Sequence, residues 1–192
     1  LFGDLGTPKN GFYIFGAQLE EQPHATSYIP TSGAIATRLE DKVTGAGDAS
    51  TFNDSEGVLY FEAAALDDDN DIKLLEINNG GATDRVFIFY RNGTIRAGVT
   101  VGGVAQCSFN IPENVTEFHK VALKYKENDF AFWIDGIEVA TDTSGITPSE
   151  GTLNNLQLSN SSNGIPFYAK TKDLRVYPTA LADAELITLT TI

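Results

Sequence analysis

The clearest order in the chain is the alternation of apolar and polar side chains. In Lys120-Val-Ala-Leu-Lys-Tyr-Lys126, Val121, Leu123 and Tyr125 fall on one face and Lys120, Lys124 and Lys126 on the other, the period-two pattern of a half-buried strand. Glu127-Asn-Asp129 then predicts a hairpin turn, Phe130, Phe132 and Ile134 carry the apolar face onward, and Asp135-Gly136 turns the chain again. Asn, Asp and Gly suit such turns because they tolerate the positive φ that tight hairpin loops require. Arg91-Asn92-Gly93-Thr94 is a second Asn-Gly hairpin signal. Strand-like runs recur from about Ser50: Val58–Ala65, Ile72–Ile77, Arg85–Arg91, Thr94–Val101, Ala105–Phe109, Lys120–Lys126, Phe130–Ile134, Leu153–Leu158 and Phe167–Tyr177. Their number and spacing predict an all-β, two-sheet antiparallel β-sandwich. One segment, Ala180–Leu189, has helical spacing: Ala182, Leu186 and Leu189 share a face, and Asp183 and Glu185 sit in the first turns, where carboxylates offset the macrodipole.

The first part of the chain is different. Phe12–Glu20 reads as a strand with apolar groups on both faces, Phe12 and Ile14 against Tyr13, Phe15 and Leu19, so it is expected to dock on the sandwich or on a neighbouring copy. A polar stretch through Pro23 and Pro30 follows, up to the loop around Thr44–Asp48. Residues 1–46 therefore read as an arm or linker from an upstream module, and 47–192 as a sandwich expected to fold without it. The chain begins at Leu1 and contains no methionine, as expected of a piece of a longer polypeptide.

Composition narrows the partners. A net charge of −13 repels a phosphate backbone, so nucleic acid and anionic lipid are not expected as partners. No apolar run approaches the ~18 residues of a membrane-spanning helix, and no membrane contact is expected. Cys107 is the single cysteine, which rules out an internal disulfide and reads as a small buried hydrophobe.

Two stretches carry a resemblance. Phe130-Ala-Phe-Trp-Ile-Asp-Gly-Ile-Glu-Val139 resembles the strand-turn-strand signature of laminin-G-like and concanavalin A-like jelly-roll domains, and Lys172–Leu186 is similar to their last strand and small helix. Gly16–Thr31, continuing to Ala36-Thr-Arg38, resembles a segment of phage tail and virion proteins that leads into a laminin-G-like module. The resemblance implies a β-sandwich at a virion surface or other extracellular site. Its implied partners are a polysaccharide or cell-surface glycan and neighbouring copies of virion protein, including a homo-oligomer. Where the family's final helix has a Ser N-cap, this chain has Ala182, so a Ser-based capping box is absent.

The acids and histidines form no catalytic pattern in the sequence. Glycosidases of this superfamily project alternate acids from one strand in a Glu-x-Asp-x-x-Glu run, which the chain lacks. Asp71 and Glu76 fall on opposite faces of a strand, Asp135 and Glu138 straddle a turn, and Glu62 and Glu76 read as members of solvated sheet faces. His24 and His119 stand in no ligand-spaced or nucleophile-like motif, and Gly45-Ala-Gly47 lacks the rest of a phosphate-binding loop. No enzymatic activity is expected. Asp67-Asp-Asp-Asn-Asp71 is the dense acidic cluster; it is either a solvated loop or a Ca²⁺ site with Asp67, Asp69 and Asp71 as oxygen ligands. For sugar binding, an exposed aromatic face must stack on a pyranose ring beside polar groups that take its hydroxyls. Trp133 alternates with Phe132 and Ile134 and is expected to face outward or to line the concave sheet, with Tyr168, Tyr177 and Arg175 as further contacts. The sequence thus reads as a non-catalytic carbohydrate-binding adhesion module, with a purely structural assembly module and a polysaccharide hydrolase or lyase as alternatives.

Overall fold

The computed structural model describes residues 16–19, 28–31, 33–36, 46–158 and 167–192, in two compact units, Leu1–Glu40 and Asp41–Ile192. In the first unit the backbone N–H of Ile29 donates to Gln18 Oε1 at 2.7 Å. Of the strand expected over Phe12–Glu20, residues 16–19 are irregular; positions 12–15 and 20 lie outside the described residues.

In the second unit the described strands are β1 (Glu56–Ala65), β2 (Lys73–Asn78), β3 (Arg85–Arg91), β4 (Thr94–Val101), β5 (Val104–Pro112), β6 (His119–Lys126), β7 (Phe130–Ile134), β8 (Ile137–Asp142), β9 (Asn155–Gln157) and β10 (Ala169–Tyr177), followed by helix α1 (Asp183–Thr190). They form two antiparallel five-stranded sheets, the all-β sandwich that the alternation predicts. The front sheet has the order β5-β4-β3-β2-β9 and the back sheet β10-β1-β6-β7-β8. Turn chemistry fixes the hairpins as expected. Asn92 and Gly93 take φ of 47° and 64°, and Asp135 and Gly136 take 49° and 83°, the paired positive φ values of the two-residue turn that matches strand twist. Strand β8 is absent from the predicted runs, because its edge position leaves Ile137 and Glu138 exposed and blurs the alternation. Ala46, at the expected end of the arm, bridges to Leu156, whose N–H donates to Ala46 O at 2.9 Å.

Between the sheets, alternate residues interdigitate. Leu59 and Phe61 of β1, Val121, Leu123 and Tyr125 of β6, and Phe130, Phe132 and Ile134 of β7 meet Leu75, Ile77, Val86, Ile88, Tyr90, Ile95, Ala97 and Phe109 of the front sheet. Phe109 and Phe132 stack across the gap at 6.2 Å, and Phe61 meets Tyr90 edge-on. A second apolar cluster lies on the other side of the back sheet: Val58, Tyr60, Ala122, Ala131 and Trp133 are covered by Leu186 of α1.

That cluster corrects the reading of Trp133. The residue does point away from the core between the sheets, as alternation requires, but α1 lies over it and leaves it 4% exposed. It is a packing residue and offers no stacking face. Lys124, on the same side, is also covered and pairs with Asp129 at 2.8 Å. At the start of α1, Ala182 supplies no side-chain acceptor, while its N–H donates to Glu185 Oε2 at 2.9 Å. The Glu half of a capping box is therefore present without the Ser half.

Candidate functional site

With Val86, Ile88 and Tyr90 in the core, the intervening residues of β3 face out of the front sheet. Arg85, Phe87 and Phe89 stand in line along this strand, and Arg96 of β4 is the cross-strand partner of Phe89. They form a ladder. Arg85 Cζ lies 4.6 Å from the Phe87 centroid, the Phe87 and Phe89 rings stack at 5.9 Å and 17°, and Arg96 Cζ lies 5.6 Å from the Phe89 centroid. Each guanidinium meets a ring face, where the quadrupole is negative. Gly98, the cross-strand partner of Phe87, makes room for this arrangement: a Cβ there would lie 2.8 Å from Phe87 Cζ and 2.7 Å from the Cys107 carbonyl oxygen.

Beside the ladder runs a hydrogen-bonded rail built on Glu76 of β2. Glu76 Oε1 accepts from Asn78 Nδ2 at 2.9 Å and from Gln157 Nε2 at 2.8 Å, and Oε2 faces Arg85 Nη1 at 3.3 Å. Asn155 Nδ2 closes the rail by donating to Asn78 Oδ1 and Gln157 Oε1. Glu76 and Asn78 are fully buried, which overturns the sequence reading of Glu76 as a member of a solvated face. Desolvation of a carboxylate is costly unless it is paired and hydrogen-bonded, and here both oxygens are engaged. The rail holds Arg85 in place, although Arg85 Nε is buried with no hydrogen-bond partner. At the far end, Arg96 Nε donates to Asn110 Oδ1 at 2.6 Å. Two guanidiniums against one carboxylate leave the ladder with a net positive charge in a chain whose net charge is −13.

The residues expected from sequence are distributed differently. Arg175 and Tyr177 lie on the back sheet, in a groove of about 660 Å³ between β10 and α1. Tyr168 is 40% exposed and precedes the opposite end of β10, roughly 30 Å from Tyr177 at about 3.3 Å per residue. The structure therefore unites Arg175 with Tyr177, which packs against the cluster that holds the buried Trp133, and separates both from Tyr168. Sequence reasoning missed Arg85, Phe87, Phe89, Arg96, Glu76 and Gln157. The available signal was Arg-x-Phe-x-Phe on the outward side of β3.

The acidic loop also has another role. Lys73, 1% exposed, sends its ammonium to Asp69 and to Asp67, 3.0 Å away but off the line of a hydrogen bond. The hydrogen bond from Lys73 holds the Asp69 carboxyl below its usual pKa. Burial draws the Lys73 pKa down, and its bonds to Asp69 and Asp67 more than reverse this, so the net direction is up. Asp68 Oδ1 accepts from Gly93 N–H at 2.6 Å and ties the loop to the β3–β4 turn. Among the described residues no three acidic, His or Cys groups converge to hold a metal. Of Asp67, Asp69 and Asp71, expected as Ca²⁺ ligands, the first two offset the charge of a buried lysine.

The profile of a family described as the concanavalin A-like lectin/glucanases superfamily matches residues 46–187. No curated protein matches the chain. Among solved structures, the Ruminococcus gnavus IT-sialidase CBM40 superposes with a TM-score of 0.61 at 20% identity, over 80% of this chain and 96% of that one. A leech intramolecular trans-sialidase matches at TM-score 0.62 and 21% identity, over 80% of this chain and 27% of its own. A heptameric SAP-like pentraxin from Limulus polyphemus gives 0.59 at 10% identity, over 80% and 77%. At these identities the likeness is one of fold.

Proposed function

The chain belongs to the concanavalin A-like lectin/glucanase superfamily, and on that premise we propose that it is a non-catalytic carbohydrate-binding module that takes an acidic sugar on the outer face of its front sheet. The observation that carries this reading is the Arg85–Phe87–Phe89–Arg96 ladder. A guanidinium presents paired N–H donors that match a carboxylate, and Phe89 offers an aromatic surface to the apolar C–H side of a pyranose. The R. gnavus module has been solved bound to α2,3- and α2,6-sialyllactose, whose sialic acid is a sugar of this class. Non-catalytic action accords with Glu76, whose oxygens are already occupied by Asn78, Gln157 and Arg85.

The setting we propose is a phage tail or virion surface, on the strength of segments 16–31 and 36–38. A shallow face gives weak single-site affinity, which repeated copies raise through avidity. The test is calorimetric titration of the full chain with 3′-sialyllactose and with lactose, at low and high salt. Sialyllactose should bind more tightly, with affinity falling as salt rises, and Arg96→Ala should weaken it about tenfold or more. Equal affinity for lactose, or no binding of the acidic sugar, overturns the reading. Release of reducing sugar from the ligand overturns its non-catalytic part.

A further inference from the structure

The groove on the back sheet is a second cavity, remote in the fold from the ladder because the two lie on outer faces of opposite sheets. Its volume of about 660 Å³ falls within the ~300–1,000 Å³ typical of ligand clefts. Register brings its polar groups together: Glu62 of β1 is paired with Asp173 of β10, and Tyr60 with Arg175.

Opposite charges balance across the groove, Glu62, Asp173 and Glu185 against Lys120, Lys172 and Arg175. Arg175 Nη2 lies 2.6 Å from Asp173 Oδ2, and Glu62 Oε1 lies 3.2 Å from Lys172 Nζ. Lys120 Nζ donates to the Thr191 carbonyl oxygen at 2.7 Å, and Glu185 accepts the Ala182 N–H. The groove therefore carries no net charge to draw in an ion, in contrast with the ladder. What remains is a close set of spare donors on Arg175 beside spare acceptors on Asp173 and Glu62. A sugar hydroxyl is both donor and acceptor, so adjacent hydroxyls can bridge such pairs and satisfy both members. The Tyr60 hydroxyl stays protonated, its pKa pushed up to about 12 by burial and then by Glu62 and Asp173. Tyr177 and Leu181, half-buried against the α1 cluster, give the groove an apolar wall for the C–H side of a ring.

We infer that this groove is a second carbohydrate site, selective for an uncharged sugar unit, and that the module binds glycan on two opposite faces. The inference stands whether or not the front face binds an acidic sugar. The test is a backbone amide NMR titration of the full chain with four neutral probes: N-acetyllactosamine, maltotriose, cellotriose and chitotriose. Each is taken to about 20 mM, above the millimolar Kd expected of one shallow site. At least one probe should give saturable shifts at residues 60–62, 173–177 and 184–189. Its Kd should rise about tenfold or more in Arg175→Ala and in Glu62→Gln, through lost charge-assisted hydrogen bonds, and stay unchanged in Arg96→Ala. Arg175 is exposed and Glu62 half-buried, and an unchanged amide spectrum outside the groove confirms that each variant is folded. The proposal is overturned if all four probes leave the groove amides unmoved, if their shifts map to the front sheet alone, or if both groove variants bind as the parent does.

Discussion

Glu76 gives the sharpest test of how the front face is built. Its carboxylate is fully buried, accepts from two amides and faces Arg85. Glu76→Gln is nearly isosteric. With the amide oxygen in the Oε1 position, both bonds from Asn78 and Gln157 survive. The new NH₂ then faces Arg85 Nη1, so a charge-assisted contact becomes donor against donor. Such a bond is worth about 1.5–3 kcal/mol, and the Arg85 side chain is 27% exposed, so solvent screens part of it; the expected cost is about 1–2 kcal/mol. At about 2–4 °C per kcal/mol for a domain of this size, Tm should fall by roughly 2–8 °C. Glu76→Leu removes the acceptor altogether, leaves both amides and Arg85 unpaired, and should cost about 3–5 kcal/mol. Urea unfolding followed by circular dichroism measures both, with an unchanged m-value as the sign that only stability has moved. If Glu76→Gln lies within about 0.5 kcal/mol of the parent, or if Glu76→Leu is the more stable variant, the rail is not a paired buried network and the argument fails.

Four further outcomes follow from burial and pairing. Trp133→Ala should destabilise by about 3–5 kcal/mol, because the indole is packed under α1; a variant with parental Tm would mean that α1 does not cover it. Millimolar calcium and chelator should give superimposable melting curves, since a cation that bound only the native state would raise Tm. In acid, the Asp69–Lys73 pair should contribute fully above the ordinary carboxylate pKa of about 3.9. Its contribution should be lost as pH falls through the lowered folded-state value, so Asp69→Asn should flatten the acid limb of the stability curve, and a limb of parental steepness would refute the pairing. Burial pushes the Cys107 thiol up to about 12, so labelling by a thiol reagent at neutral pH should occur only at the rate of unfolding; immediate labelling in the native state would show that the thiol is exposed.

The sequence by itself determined the features that rest on near neighbours. Period-two alternation in β6 and β7 separates Val121, Leu123 and Tyr125 from the lysines whatever the rest of the chain does. Asn92-Gly93 and Asp135-Gly136 make turns because of their own tolerance of positive φ. The last helix follows from its own spacing. Tertiary structure decided what each outward face meets. Trp133 alternates outward, but its exposure depends on Leu186 of α1, a contact that no local period encodes. Glu76 looks like any strand acid until Gln157, 81 residues away, donates to it. The acids of the 67–71 loop read as a solvated loop or a cation site until a buried lysine claims two of them. A strand's pattern fixes which side a residue takes. Whether that side meets water, a helix or a counter-charge depends on long-range packing, and burial and pairing, which follow from it, determine what the residue can do.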